Sequence, residues 1–351
     1  MPPADGHAGG GAAAGAEEQI EIPDGRVVEV VRRDAPRPTL LVSDETADDG
    51  AVRVRRLRFF QPDDGEGGGG GEGGGGGGEL VSDHVQTEML LRRDGRVNAR
   101  CLRQHYHCLM VAGLSCCAEP ARVGRVAMLG HGAGALGSFL GAVLRAIVTA
   151  VDSDAAVIAL GRQHFNDSAR VVVGDAADFA RSQADGSFDA VFVDINAERE
   201  PLAAPPASMH APDVVRALAR ATPLVVVNVL EGTKAARRGV ASAFASEFAH
   251  VLWLRSPLCT NRILVAGSAL APAPSQQGLE AWVSLQPHAQ VLVRTLAALK
   301  FGSSVLHKWH LRPRPPQEGK ARGPGCSPAG KRPAQLERSK KRARTSGGAD
   351  G

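Results

Sequence analysis

The chain has few aromatic residues and an excess of glycine. Its 351 residues include ten Phe, three Trp and a single Tyr, against 42 Gly, so part of it lacks the material for a packed core. Twelve of the glycines fall between Gly65 and Gly78, broken only by Glu66 and Glu72, and residues 1–19 hold almost nothing large and apolar. Neither stretch can offset its ordering entropy. Disorder is expected over 1–19, and a flexible insertion over 65–78. No run approaches the roughly 20 apolar residues that span a bilayer; LGAVLRAIVTAV is interrupted by Arg145. The start lacks a basic segment followed by an apolar one, and Asp5, Glu17 and Glu18 precede Arg26, which argues against a secretory or transit peptide and predicts a cytoplasmic protein with no membrane partner. The six cysteines (Cys101, Cys108, Cys116, Cys117, Cys259, Cys326) show neither CxxC pairs nor Cys/His zinc spacing. In a reducing compartment they are expected to be buried or incidental thiols, with no metal.

A basic folded face is also missing. Lys and Arg number 41 against 37 Asp and Glu, but residues 312–351 hold eleven basic and three acidic side chains, leaving 30 against 34 in residues 1–311. Contact with nucleic acid is therefore confined to the tail. There, Lys341, Arg342 and Arg344, preceded by Lys331 and Arg332, fit a nuclear-import signal, nonspecific RNA contact or a solvated charge run.

What is present reads as a small β region followed by alternating strands and helices. QIEIPDGRVVEVV suggests a hairpin around Pro23-Asp24-Gly25, and TLLVSDE, AVRVRRLRFF and ELVSDHVQTEMLL add three strand-like runs, giving an antiparallel β region over 20–97. The glycine insertion sits between the last two, where loop closure costs little. From Asn98, Leu102, Tyr106, Leu109, Met110 and Leu114 follow helical spacing. VGRVAMLG, IVTAVD, RVVVGD, FDAVFVDI and PLVVVNVL then read as apolar strands separated by the helices SFLGAVLRA, AAVIALGRQHF, DFARSQA and PDVVRALAR. That pattern predicts an α/β domain over 98–311 built on a Rossmann-like, mostly parallel sheet covered on both faces. EFAHVLWL and RILVAGS, joined by a short link, predict an antiparallel pair at one sheet edge, and 276–300 a last helix.

A ligand of such a sheet sits beyond the carboxyl ends of its strands. Four places qualify: the turn LGHGAGALG with Gly130, Gly132 and Gly134; Asp152 after the second strand, placed to accept both ribose hydroxyls; Asp175 after the third, placed for an adenine edge; and Asp194 after the fourth, where a reacting group would lie. Alone, the glycines serve equally as a tight turn, and Gly130, Gly132 and Ala135 also match the GxGxxA spacing of a dinucleotide site. Each aspartate has a second reading as a helix N-cap.

Taken in succession, MLGHGAGALGSFL, VTAVDSDAAVIALGRQHF, VVVGDAADF and FDAVFVDIN resemble the motifs of class I S-adenosyl-L-methionine (AdoMet) methyltransferases of the spermidine-synthase-like branch. With RVRRLRFF, ELVSDHVQTEMLL and HYHCLMVAGLSC, the likeness from Thr39 to Leu299 is to the methyltransferase-like protein 13 family, whose members methylate elongation factor 1-alpha on lysine and at its N-terminus. The resemblance implies a transferase with AdoMet as cofactor and a protein substrate, with elongation factor 1-alpha as the candidate and a homodimer left open. It implies that Gly130, Gly132 and Gly134 meet the methionine part, Asp152 and Asp154 the ribose end, Asp175 and Ala176 the adenine, and Gln86 and His107 the border between methionine and acceptor. His107 has a plainer reading as a core histidine bonded to backbone, and Tyr106 as a packing residue.

The sequence departs from that branch in two ways. Polyamine synthases carry an Asp-Ser-Ser-Asp-like run after strand four, and the protein methyltransferase an acid two positions after the aspartate. Here the run is DINAE, with Asn196 in place of a second carboxylate. Aminopropyl transfer to a polycation is disfavoured, and a catalytically silent binding fold stays open beside methyl transfer with Asp194, Asn196 and His107 on the acceptor side. Removal of 312–351 is expected to leave turnover on a purified substrate unchanged and to alter localisation between cytoplasm and nucleus. Activity assays and imaging of the truncated chain check this, and lost turnover would place the tail in the catalytic unit.

Overall fold

The structure, a computed structural model, describes residues 25–33, 38–47, 50, 52–60, 84–116, 123–196, 205–230, 233–256, 258–270 and 306–307. The strand expected before the Pro23-Asp24-Gly25 turn, the glycine insertion, the helix over 276–300 and the basic tail lie outside these residues.

Strands β1 (Gly25–Val31), β2 (Thr39–Ala47), β3 (Val52–Phe60) and β4 (His84–Leu90) form an antiparallel sheet in sequence order. Alternation along the strands sends Leu40, Val42, Leu57 and Met89 into one apolar cluster with Ala133, Val157, Leu160 and Phe165 of the following domain. Three of the four arginines of RVRRLRFF, Arg55, Arg56 and Arg58, pair with carboxylates across the strands. Arg55 lies opposite Asp44 and grips it at 2.6 and 2.8 Å, while Arg56 bonds Glu88 at 2.7 Å and Glu45 at 2.5 Å. Burial pushes the Asp44 carboxyl up, but hydrogen bonds from Arg55 and Arg26 outweigh it and hold the group below the ordinary carboxylate range.

The second sheet has the order β12-β10-β11-β9-β8-β5-β6-β7. Its parallel part comprises β5 (Arg125–Leu129), β6 (Ile147–Asp152), β7 (Arg170–Val173), β8 (Ala190–Val193) and β9 (Leu224–Val229). β10 (His250–Arg255) and β11 (Arg262–Gly267) form the expected antiparallel pair, with β11 inserted against β9 and the two-residue β12 (Leu306–His307) outermost. The strands have two apolar faces, as a covered parallel sheet requires. Val126 and Met128 meet Leu109 and Met110 of α1 (His105–Gly113) and Phe139 and Leu140 of α2 (Ala135–Leu144). Ala127 and Leu129 face the layer formed by Val214 and Leu218 of α5 (Pro212–Ala221) and Phe244 of α6 (Lys234–Ala245). α3 (Ala155–His164) and α4 (Ala176–Ser182) complete the alternation. Among the described residues no helix is long and apolar enough to cross a membrane. Cys108 is a core residue whose thiol burial pushes up to about 12, so it packs as a small apolar group.

Two expectations need correction. The helix expected from Asn98 begins only at His105, because Asn98 closes a turn: its side chain accepts from the Arg100 amide and its carbonyl from the Cys101 amide. Between β9 and β10, where no helix was expected, the chain forms α6. KAARRGVASAFA buries only Val240, Ala241 and Phe244 and carries Gly239 at its centre, a stripe too sparse to register as periodicity. Its start was marked by Thr233, whose hydroxyl accepts the Ala236 amide at 3.1 Å.

Leu57 is fully buried between the two sheets' layers. Leu57→Ala should lower stability by about 2–5 kcal/mol, with one cooperative transition in urea. Two separated transitions would show that the N-terminal sheet folds apart from the rest.

Candidate active site

The order in which the parallel strands are added reverses between β5 and β8, and the segments leaving the strand ends collect at that switch point. The ladder continues past the strands: the Gly130 amide donates to Val151, the Asp194 amide to Leu129 and the Gly174 amide to Asp152. Gly130, Asp152, Gly174 and Asp194 thus stand in one row.

The turn from β5 into α2 is left-handed at three glycines, with φ of +83° at Gly130, +57° at Gly132 and +89° at Gly134. Glycine is required here by space as well as by φ. A Cβ at Gly130 would collide with the Asp194 carbonyl oxygen and reach its carbon at 2.8 Å; one at Gly132 would lie 2.5 Å from the Gln86 amide nitrogen; one at Gly134 would lie 2.7 Å from the Asp167 carboxyl carbon. Gln86, from β4 of the other sheet, therefore lies directly over the turn. Beneath it, His131 Nε2 and Asp167 form a fully buried pair at 2.9 Å, which ties the turn to the segment after α3.

Asp152 braces the same turn. One carboxylate oxygen accepts the His131 and Gly132 amides at 2.9 and 2.7 Å, and the other accepts the Asp154 amide at 3.0 Å. Three of about four lone-pair sites are used, so the residue retains room for one further hydroxyl where the sequence suggested two. Asp154 caps α3 through the Ala156 and Val157 amides at 3.0 and 3.2 Å and pairs with Arg33 from the N-terminal sheet. Asp175 caps α4 by accepting the Asp178 amide at 2.9 Å and stays exposed beside Ala176. The capping role and the exposed position coexist, because a carboxylate has a second oxygen.

The carboxylate of Asp194 is held by side chains alone. Its Oδ2 accepts from the Tyr106 hydroxyl at 3.3 Å and lies 3.2 Å from His107 Nε2; its Oδ1 accepts from Asn228 Nδ2 at 2.8 Å. Asn228 in turn accepts from Asn261 Nδ2 at 2.9 Å. Burial first, and then the negative charge of Asp194, push the Tyr106 hydroxyl well above 10, so it remains a donor and is no base at neutral pH. The His107 ring stacks at a tilt on Tyr106, with centroids 4.3 Å apart. Asn196 is exposed two residues on, and none of the side-chain bonds on Asp194 comes from it. Sequence reasoning gave Asp194 and His107, held Tyr106 open, and missed Asn228 and Asn261. A lone amide inside the apolar run LVVVNV was the available signal, because a buried carboxamide must find partners.

No family model and no curated sequence matches the chain. Solved structures do. A probable spermidine synthase from Corynebacterium glutamicum superposes with a TM-score of 0.52 at 17% identity, covering 82% of this chain and 100% of that one. Human methyltransferase-like protein 13 in complex with SAH gives 0.47 at 20% identity over 55% and 93% of the two chains. Spermidine synthase from Thermotoga maritima gives 0.44 at 13% identity over 78% and 88%. The Corynebacterium likeness, together with the topology above, shows an α/β fold shared with that probable spermidine synthase.

The turn tests its own geometry. Gly130→Ala sets a Cβ against backbone that cannot move aside at a left-handed φ, and should cost more than about 2 kcal/mol. Thermal unfolding of the variant checks this, and an unchanged midpoint would mean that the turn and the end of β8 are not so closely packed.

Proposed function

We propose that this chain is an AdoMet-dependent methyltransferase acting on a protein amine, with an N-terminal α-amine as the favoured acceptor. The observation that supports it most is the convergence, at one switch point, of a glycine-rich turn covered by Gln86 and an acceptor-side carboxylate held by three donors. The residues present fit AdoMet: Gly130, Gly132 and Gly134 leave the backbone bare for the methionine part, Asp152 has one acceptor site for a ribose hydroxyl, and Asp175 is exposed for the adenine edge. Bound AdoMet would supply a methyl group on a sulfonium, which carries its own leaving group.

The protein's task is then to place a neutral amine in line with that methyl group and to exclude competing geometry. Asp194 has one lone pair of Oδ1 left after Tyr106, His107 and Asn228 are counted. One amine N–H can bind there while the nitrogen lone pair points at the methyl carbon. Tyr106 cannot remove a proton, so the acceptor must arrive neutral or lose its proton to water. Near pH 7.4 that costs roughly 4 kcal/mol for a lysine of pKa about 10.4 and under about 1 kcal/mol for an α-amine of pKa about 7.7–8.0. Asn196 offers a carbonyl without the second negative charge that would hold an ammonium, which also counts against aminopropyl transfer to a polyamine. Elongation factor 1-alpha is the protein substrate suggested by the sequence resemblance.

Transfer from tritiated AdoMet into cell-extract protein, followed by mass spectrometry of the product, tests the reading. The rate should rise from about pH 6.5 and level near 8.5 as the α-amine deprotonates, whereas an unperturbed lysine would keep gaining to about pH 10. Label on an internal lysine with the N-terminus unmodified would overturn the acceptor and leave the cofactor site standing. Asp152→Ala should weaken AdoMet binding in calorimetry by at least tenfold, since a charge-assisted hydrogen bond is worth about 1.5–3 kcal/mol, and should also lower the melting temperature because three backbone amides lose their partner. Unchanged affinity would remove Asp152 from the site. Asp194→Ala should spare AdoMet affinity and depress turnover; intact turnover would refute its placement.

A further inference from the structure

We infer that Asn228 and Asn261 form a positioning relay that holds Asp194 with one lone pair turned toward the acceptor; the inference rests on the methyltransferase reading above. β9 is LVVVNV, buried at every residue, and Asn228 is 2% exposed within it. A carboxamide in such a strand costs several hydrogen bonds to water unless both of its ends are satisfied. Both are: its nitrogen donates to Asp194 Oδ1 at 2.8 Å and its oxygen accepts from Asn261 Nδ2 at 2.9 Å. Asn261 is half-buried one residue before β11, the strand that pairs with β9.

The direction of this chain is not arbitrary. An ionised carboxylate can only accept, so Asn228 must present its NH2 to Asp194 and its oxygen to Asn261, and Asn261 must donate in turn. Both hydrogen bonds of the relay are donated toward the carboxylate. The groups facing Asp194 from the other side are the Tyr106 hydroxyl and the His107 ring of α1, and the two relay residues themselves do not titrate. Oδ2 is thus occupied from α1 and Oδ1 from β9, which prevents the carboxylate from rotating and leaves a single lone pair on Oδ1. Neutral amides suit this task better than a cation would. A lysine or arginine at position 228 would orient the carboxylate equally well but would cancel the charge that attracts the acceptor's N–H. The relay fixes geometry and leaves the charge intact.

Asn228→Asp keeps the shape and reverses the chemistry. It sets a second carboxylate against Asp194 that can donate only when protonated, so the two would share a proton at lower pH. With the full-length chain, tritiated AdoMet and a peptide bearing a free N-terminal α-amine, we expect AdoMet affinity within about twofold of wild type. Turnover should fall on the order of 100-fold at pH 8.5, and the ratio of variant to wild-type rate should rise as pH falls toward 6.5. Asn228→Leu, which has no donor in any state, should lose turnover without that pH-dependent recovery. Should the position 228 variants fail to fold, Asn261→Asp carries the test from the half-buried end, with a smaller loss of turnover and the same pH trend. An active wild type combined with Asn228→Asp turnover that is unchanged, or that falls equally at all pH together with AdoMet affinity, overturns the relay and leaves the methyltransferase reading intact. A wild-type chain that binds no AdoMet overturns both.

Discussion

The ligand end of the sheet depends on how closely the Gly130 turn approaches Asp194, the residue that follows β8. At Gly130 no Cβ fits between the turn and the Asp194 main chain, and the left-handed φ of +83° excludes most other residues in any case. This contact sets the distance between the bare backbone of the turn, where a cofactor would lie, and the Asp194 carboxylate, where an acceptor would lie. Asp152 holds the turn from one side by accepting two of its amides, and the buried His131–Asp167 pair holds it from below. Protein groups thus brace the turn by themselves, which keeps the ordering cost of binding low.

The N-terminal sheet belongs to this site. Gln86 of β4 covers Gly132, Thr87 accepts the Ala133 amide at 3.4 Å, and Arg33 pairs with the residue that caps α3. Leu40, Val42, Leu57 and Met89 pack the sheet onto α2 and α3 through one apolar cluster. A β region that would otherwise read as an appendage covers the glycine turn, and three of the four arginines of its third strand pair with carboxylates within the sheet.

Much of this was legible in the residues, for physical reasons that also explain what was not. Continuous apolar strands such as AVFV and VVVNV, each followed by an amphipathic helix, have few alternatives to a covered parallel sheet. Glycines at spacing two after a strand, followed by acids at successive strand ends, mark its ligand edge. What escaped was either weakly periodic or made by distant partners. α6 buries too few residues to stand out, Asn98 closes a turn inside a pattern that resembled helix, and the bonds from Asn228 and Asn261 to Asp194 join segments far apart in the chain. The bonds from Asp152 to the turn amides depend on folded backbone, which no spacing reveals.

In the proposed reading, the switch point holds a nucleoside sulfonium beside a fixed carboxylate. Calorimetric titration of the purified chain with AdoMet and, separately, with NAD tests it most directly, since glycine spacing alone fits either ligand. Binding of AdoMet at one site with no heat from NAD is the predicted result. NAD binding in the absence of AdoMet binding would contradict the account.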